Sequence, residues 1–169
     1  MKLSACMSVV SLLILSSCFG PSSNPEIIEM NFYNNAEIST DFPFVIGGNS
    51  RVFHYYHKAE DEENVADDEF SEDFFIQIEK EKDSFDYSDV NTDLIYHIYK
   101  AHCFCPIDDY SQIKTGFIRG DKITNTKWNV SADLTLETGV IDEVSGDTLY
   151  VLEREIKFNG TFKSVSIPE

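Results

Sequence analysis

The residue types best suited to chemistry gather at His102-Cys103-Phe104-Cys105. Thiolates and imidazoles ligate transition metals, and two thiols can close a disulfide. Residues two apart on an extended chain have Cα atoms about 6.6 Å apart, at the upper limit for a bridge. Their side chains also stand parallel instead of converging. A bend at Pro106 would bring them into a small, strained and easily reduced ring. Three readings compete for Cys103 and Cys105: a reduced buried pair ending a core strand, a local Cys103–Cys105 disulfide, and a metal site.

The metal reading needs His97 and His102 beside Cys103 and Cys105. On a regular strand His97 shares a parity with both cysteines, whereas His102 falls on the other face. One residue separates the cysteines, where a zinc half-site has two to four. His54 and His57 lie three apart, so a strand sends them to opposite faces. Packed or surface histidines are the blander expectation. A Cys–His pair could also make a nucleophile and its base, but no motif fixes that geometry. Phe104 and Cys105 sit in a stretch that reads as core, where a thiolate is disfavoured. The expectation is a protein without catalysis and without a cofactor.

Charge narrows the partners. The chain has 169 residues with a formal net charge of −17, and 42% of them are hydrophobic, too many for a disordered acidic tail. Such a surface does not suit phosphate neutralisation, so nucleic acid is excluded as a partner. Nine of the fourteen residues from Glu60 to Asp73 are acidic, and this run reads as a solvated loop. Its spacing lacks the glycine turn of a calcium-binding loop.

The elements that must hold these residues read as strands. Trp128, Val130, Ala132, Leu134 and Leu136 alternate with polar residues, the mark of a half-buried strand. Phe74, Ile76 and Ile78 share a second strand face, and Arg51 to Lys58 is aromatic-rich and extended by propensity. Asp93 to Cys105 is apolar on both parities, which predicts a central strand covered on both sides. Tyr150 to Phe158 leads into Asn159-Gly160, a hairpin signal, with Phe162, Val165 and Ile167 on the return strand. Gly116 and Gly120 divide two short strands before Trp128. The expected fold is all-β, an antiparallel β-sandwich or partly closed β-barrel of about eight strands, with an α+β fold containing one helix as the alternative. The large aromatic inventory, from Phe53 to Trp128, is expected to serve that core.

The first residues carry a different signal. Lys2 precedes an apolar stretch through Leu15 that is too short to span a bilayer, and small residues follow it. The stretch closes on Leu15-Ser16-Ser17-Cys18, and here the chain resembles bacterial lipoproteins, whose lipobox is an aliphatic residue, two small residues and Cys. The resemblance implies cleavage before Cys18 and lipid on its sulfur, with two or more acyl chains giving stable attachment. It divides the chain into a signal peptide over 1–17, lipidated Cys18 with a tether to residue 26, and one β-rich domain over 27–169. The tether, with two prolines and a glycine, suits a flexible spacer.

The lipoprotein resemblance also implies a lipid-anchored protein of the cell membrane or outer membrane, facing the periplasm or cell exterior. No Asp follows Cys18, which leans toward the outer membrane. The expected role is non-catalytic binding of an envelope protein or glycan, or a structural one. The alternatives are metal binding through His97, His102, Cys103 and Cys105, or carriage of a small ligand.

Overall fold

The structure, a computed structural model, describes residues 25–42, 44–60, 70–88, 96–102, 111–141 and 148–167. Its strands are β1 (Ile27–Ile38), β2 (Val45–Lys58), β3 (Ser71–Glu79), β4 (Ser84–Ser88), β5 (Tyr96–His102), β6 (Ser111–Thr124), β7 (Lys127–Ile141) and β8 (Thr148–Ser164). They form one sheet in the order β4-β6-β7-β8-β1-β2-β3-β5. Every neighbouring pair is antiparallel except β1 and β8, which run parallel where Asn31 meets Lys163. The sheet curls strongly into a half-barrel. The all-β, partly closed barrel expectation holds, and the described residues contain no helix.

Alternation builds the wall. Trp128, Val130, Ala132, Leu134 and Leu136 of β7 are all buried on one face, and each large side chain so buried contributes about 1.5–3 kcal/mol. Together with Phe32, Phe53, Phe74, Phe85, Tyr99, Ile118, Ile156 and others they form one core cluster drawing on all eight strands. The ring of Phe53 lies 5.8 Å from Phe32, 5.5 Å from Phe85, 5.3 Å from Trp128 and 5.6 Å from Phe162. Phe53 belongs to β2 and Phe85 to β4, five places away in the sheet, so only a tight curl brings them together. Tyr33, Ala36, Ile38, Val45, Val52 and Phe75 form a second, smaller cluster on the other face.

Several sequence expectations need correction. The strand within 93–105 is β5, and among the described residues it stands at the sheet edge beside β3, not in the centre. Its two apolar parities have another cause: Tyr99 joins the main core while Ile98 packs on the second cluster. Asn159-Gly160 is no hairpin turn, because β8 runs unbroken through it to Ser164. Among the described residues no return strand follows β8; Val165 instead donates its amide to Phe32 O at 3.0 Å. The acidic run is not all loop, since Ser71, Glu72 and Asp73 already belong to β3 and Glu72 is buried.

The glycines of β6 mark curvature, not strand ends. β6 is a single strand through Gly116 and Gly120. An extra residue bulges at Lys114, between the pairs Ile113–Leu136 and Thr115–Thr135, and re-aims the strand so that both Ile113 and Ile118 are buried. Gly116 sits at a φ of +116°, where a Cβ would lie 2.0 Å from Asp133 O. At Gly120 the ring of Phe85 occupies the space a side chain would need.

Candidate functional site

The register of β2, β3 and β5 sets three histidines around two adjacent carboxylates. His57 pairs directly with Glu72 across the β2–β3 ladder, while His54 faces Phe75 and lies diagonal to Asp73. On the other side of β3, Tyr99 faces Phe74, diagonal to Glu72, and His102 faces Ser71, diagonal to Asp73. Diagonal neighbours on one face are within reach of long side chains. Because successive residues alternate faces, Glu72 turns to the core side with Phe74 and Ile76, and Asp73 to the other side with Phe75.

Glu72 is the better enclosed, its side chain 4% exposed. Its Oε1 lies 3.1 Å from His57 Nδ1, and its Oε2 accepts from Tyr99 Oη at 3.1 Å and from Arg154 Nε at 3.0 Å. Burial first, and then the charge of Glu72, hold the Tyr99 phenol well above its ordinary titration range, so it stays a donor. Arg154 also lies over the ring of Phe70, 4.7 Å from its centre. The second nitrogen of His57, Nε2, lies 2.9 Å from Glu26 Oε1.

Asp73 is held by imidazoles on both oxygens. Oδ1 contacts His54 Nε2, and Oδ2 lies 2.8 Å from His102 Nε2. The His54 ring stacks on Phe75 with centroids 4.3 Å apart, which fixes its orientation. Burial alone would raise the Asp73 carboxyl, but the hydrogen bonds and charges of His54 and His102 outweigh it. The net effect holds Asp73 below the usual carboxylate range.

Of the four residues in the alternative metal reading, His97 and His102 are described, and they lie on opposite faces of β5. His97 faces Ile76 and lies near Phe74 on the core side, 6.2 Å between ring centres, whereas His102 lies on the opposite face with Asp73. Cys103 and Cys105, with their proposed disulfide, and Cys18 lie outside the described residues. Among the described residues no three His, Cys, Asp or Glu side chains are placed to hold a metal ion. The expectation that His54 and His57 face opposite ways is met: His54 bonds Asp73 and His57 bonds Glu72.

Sequence reasoning missed Glu26, Glu72, Asp73, Tyr99 and Arg154 as a group. The only signal was the acidic pair Glu72-Asp73 beside two histidine-bearing extended stretches, and it needs a register to be read. No protein family, curated protein or solved structure matches the chain. What the cluster can do follows from its groups. It holds charge in two hydrogen-bonded groups, that of Glu72 on the core side of β3 and that of Asp73 on the other.

Proposed function

We propose that the chain is an envelope lipoprotein, held to a bacterial cell membrane or outer membrane by lipid on Cys18. Its half-barrel is a non-catalytic binding or structural domain that engages an envelope protein or glycan. The observation that carries this reading is Leu15-Ser16-Ser17-Cys18, placed directly after a short apolar segment led by Lys2. Lipid there confines the domain to a surface and raises its local concentration.

The side chains of the histidine and carboxylate cluster support the non-catalytic part. Both oxygens of Glu72 and both oxygens of Asp73 are already engaged by partners within the fold. A general base or nucleophile needs a reacting atom within hydrogen-bond reach, and these groups spend their contacts on one another. The aromatic residues support it too, since Phe53, Phe74, Phe85 and Trp128 pack into the core.

Replacing Cys18 tests the anchor. Cys18→Ser is expected to release the domain into the soluble fraction or to block maturation of the precursor. Membrane fractionation that stays detergent-dependent and unchanged in the variant overturns the reading.

A further inference from the structure

We infer that His57 is a proton-operated latch on the chain segment that enters β1. Its two ring nitrogens meet two different carboxylates, Nδ1 at 3.1 Å from Glu72 Oε1 and Nε2 at 2.9 Å from Glu26 Oε1. An ionised carboxylate only accepts hydrogen bonds, and a neutral imidazole has a single N–H to donate. Both contacts are hydrogen bonds together only when the ring carries two N–H groups. The geometry is that of an imidazolium bridging two acids.

The surrounding charges agree. Glu26 faces the ring from the segment before β1, where the β1 residue opposite His57 is the apolar Ile28. Glu72 faces it from β3, and through Glu72 come Arg154 of β8 and the phenol of Tyr99 on β5. The ring of Tyr55, on β2 itself, lies alongside. Two carboxylates against one guanidinium leave one negative charge, which the imidazolium cancels.

Loss of the proton affects the two bonds unequally. Glu72 is 4% exposed and is held in place by Arg154 and Tyr99, so leaving it without the His57 bond is costly. Glu26 is 58% exposed and water replaces its partner readily. The remaining N–H therefore stays with Glu72, and Glu26 is released. The latch is therefore closed on the acidic side, where the ring holds both protons, and open on the alkaline side. On the lipoprotein reading, Glu26 lies eight residues beyond Cys18, and the latch sets how firmly the first strand is joined to its lipid-anchored tether. The latch itself does not depend on lipidation.

Nuclear magnetic resonance on the full chain in detergent micelles tests it. Long-range proton–nitrogen spectra report the protonation of each imidazole, and the heteronuclear Overhauser effect reports order at the Glu26 amide. The expected result is an imidazolium at His57 at about pH 5, with loss of Glu26 amide order as the ring is titrated toward about pH 8. Leu134 in β7 stays ordered throughout. Glu26→Gln abolishes that loss, because its side-chain amide donates to the neutral Nε2. His57→Gln leaves Glu26 order independent of pH over the same range. Constant Glu26 order while His57 titrates overturns the latch. So does a neutral His57 ring at about pH 5, which would put the shared proton on a carboxyl group.

Discussion

Arg154 on β8 and Glu72 on β3 form an ion pair at 3.0 Å although β1 and β2 lie between their strands in the sheet. The two residues are 82 positions apart in the chain. A flat sheet would hold them three strand spacings apart, about 14 Å. The contact therefore spans the concave side of the curl, above the core that Phe53, Trp128 and Phe162 fill. It acts as a strut across the half-barrel, and it buries a carboxylate that needs it.

Removing that strut should leave Glu72 short of one charge-assisted bond while Tyr99 and His57 remain. Arg154→Met is expected to destabilise the fold by about 1–3 kcal/mol in urea unfolding followed by tryptophan fluorescence. Combining it with Glu72→Gln should cost less than the sum of the single changes, because the buried charge that needs a partner is then gone. Strict additivity of the two would show that the residues do not act as a pair.

Asp73 makes acid stability measurable. Its native carboxyl titrates below its ordinary value of 3.8, since His54 and His102 outweigh the opposing effect of burial. A depressed carboxyl contributes stability that is fully present above the unfolded value and is lost as pH falls through the folded value. Asp73→Asn should therefore destabilise the protein by about 1–3 kcal/mol at neutral pH. The gap from the unaltered chain should narrow below about pH 4. A gap that stays constant down to about pH 2 would contradict the assignment.

Two glycines should respond differently to alanine. At Gly116 the obstacle is backbone, with Asp133 O only 2.0 Å from where an alanine Cβ would sit, and φ is +116°. Gly116→Ala should cost about 2–3 kcal/mol. At Gly160 the obstacle is the end of the Met30 side chain, Sδ at 2.3 Å, which can rotate away, so Gly160→Ala should cost about 1 kcal/mol or less. Thermal melts of the two variants side by side decide it, and equal losses would refute the distinction.

Phe85 holds the short edge strand β4 to the rest. Its ring covers Gly120 and lies 5.5 Å from Phe53 and 6.0 Å from Trp128. Phe85→Ala should destabilise the fold by about 3–5 kcal/mol. Amide exchange should show the amides of residues 85 and 87, which the register turns toward β6, losing protection before the residues of β7. Uniform loss across β4 and β7 would mean that β4 does not open independently.

Much of the wall was legible in the sequence. Trp128 to Leu136 and Phe74 to Ile78 lie on single buried faces because side-chain direction alternates along any strand, whatever its neighbours. The misreadings share one source. Asn159-Gly160, Gly116 and Gly120 look like chain reversals, since glycine relaxes backbone restrictions locally, but here they accommodate the curl and the close approach of Met30, Asp133 and Phe85. The both-sided pattern of β5 likewise comes from two packed clusters, not from a central place in the sheet.

The candidate site was not legible. His54, His57 and His102 were visible as residues, and so was the acidic pair Glu72-Asp73. Their meeting depends on the β2–β3 and β3–β5 registers, and a shift of one residue would send each side chain to the opposite face. The sequence by itself determined the all-β class, the acidic character and the buried parity of individual strands, because these follow from local alternation and composition. Only the tertiary structure decided that Arg154 reaches Glu72, that Phe85 reaches Phe53 and that His57 joins Glu26 to the barrel. Those contacts depend on the pairing and curvature of strands distant in the chain, which local alternation does not encode.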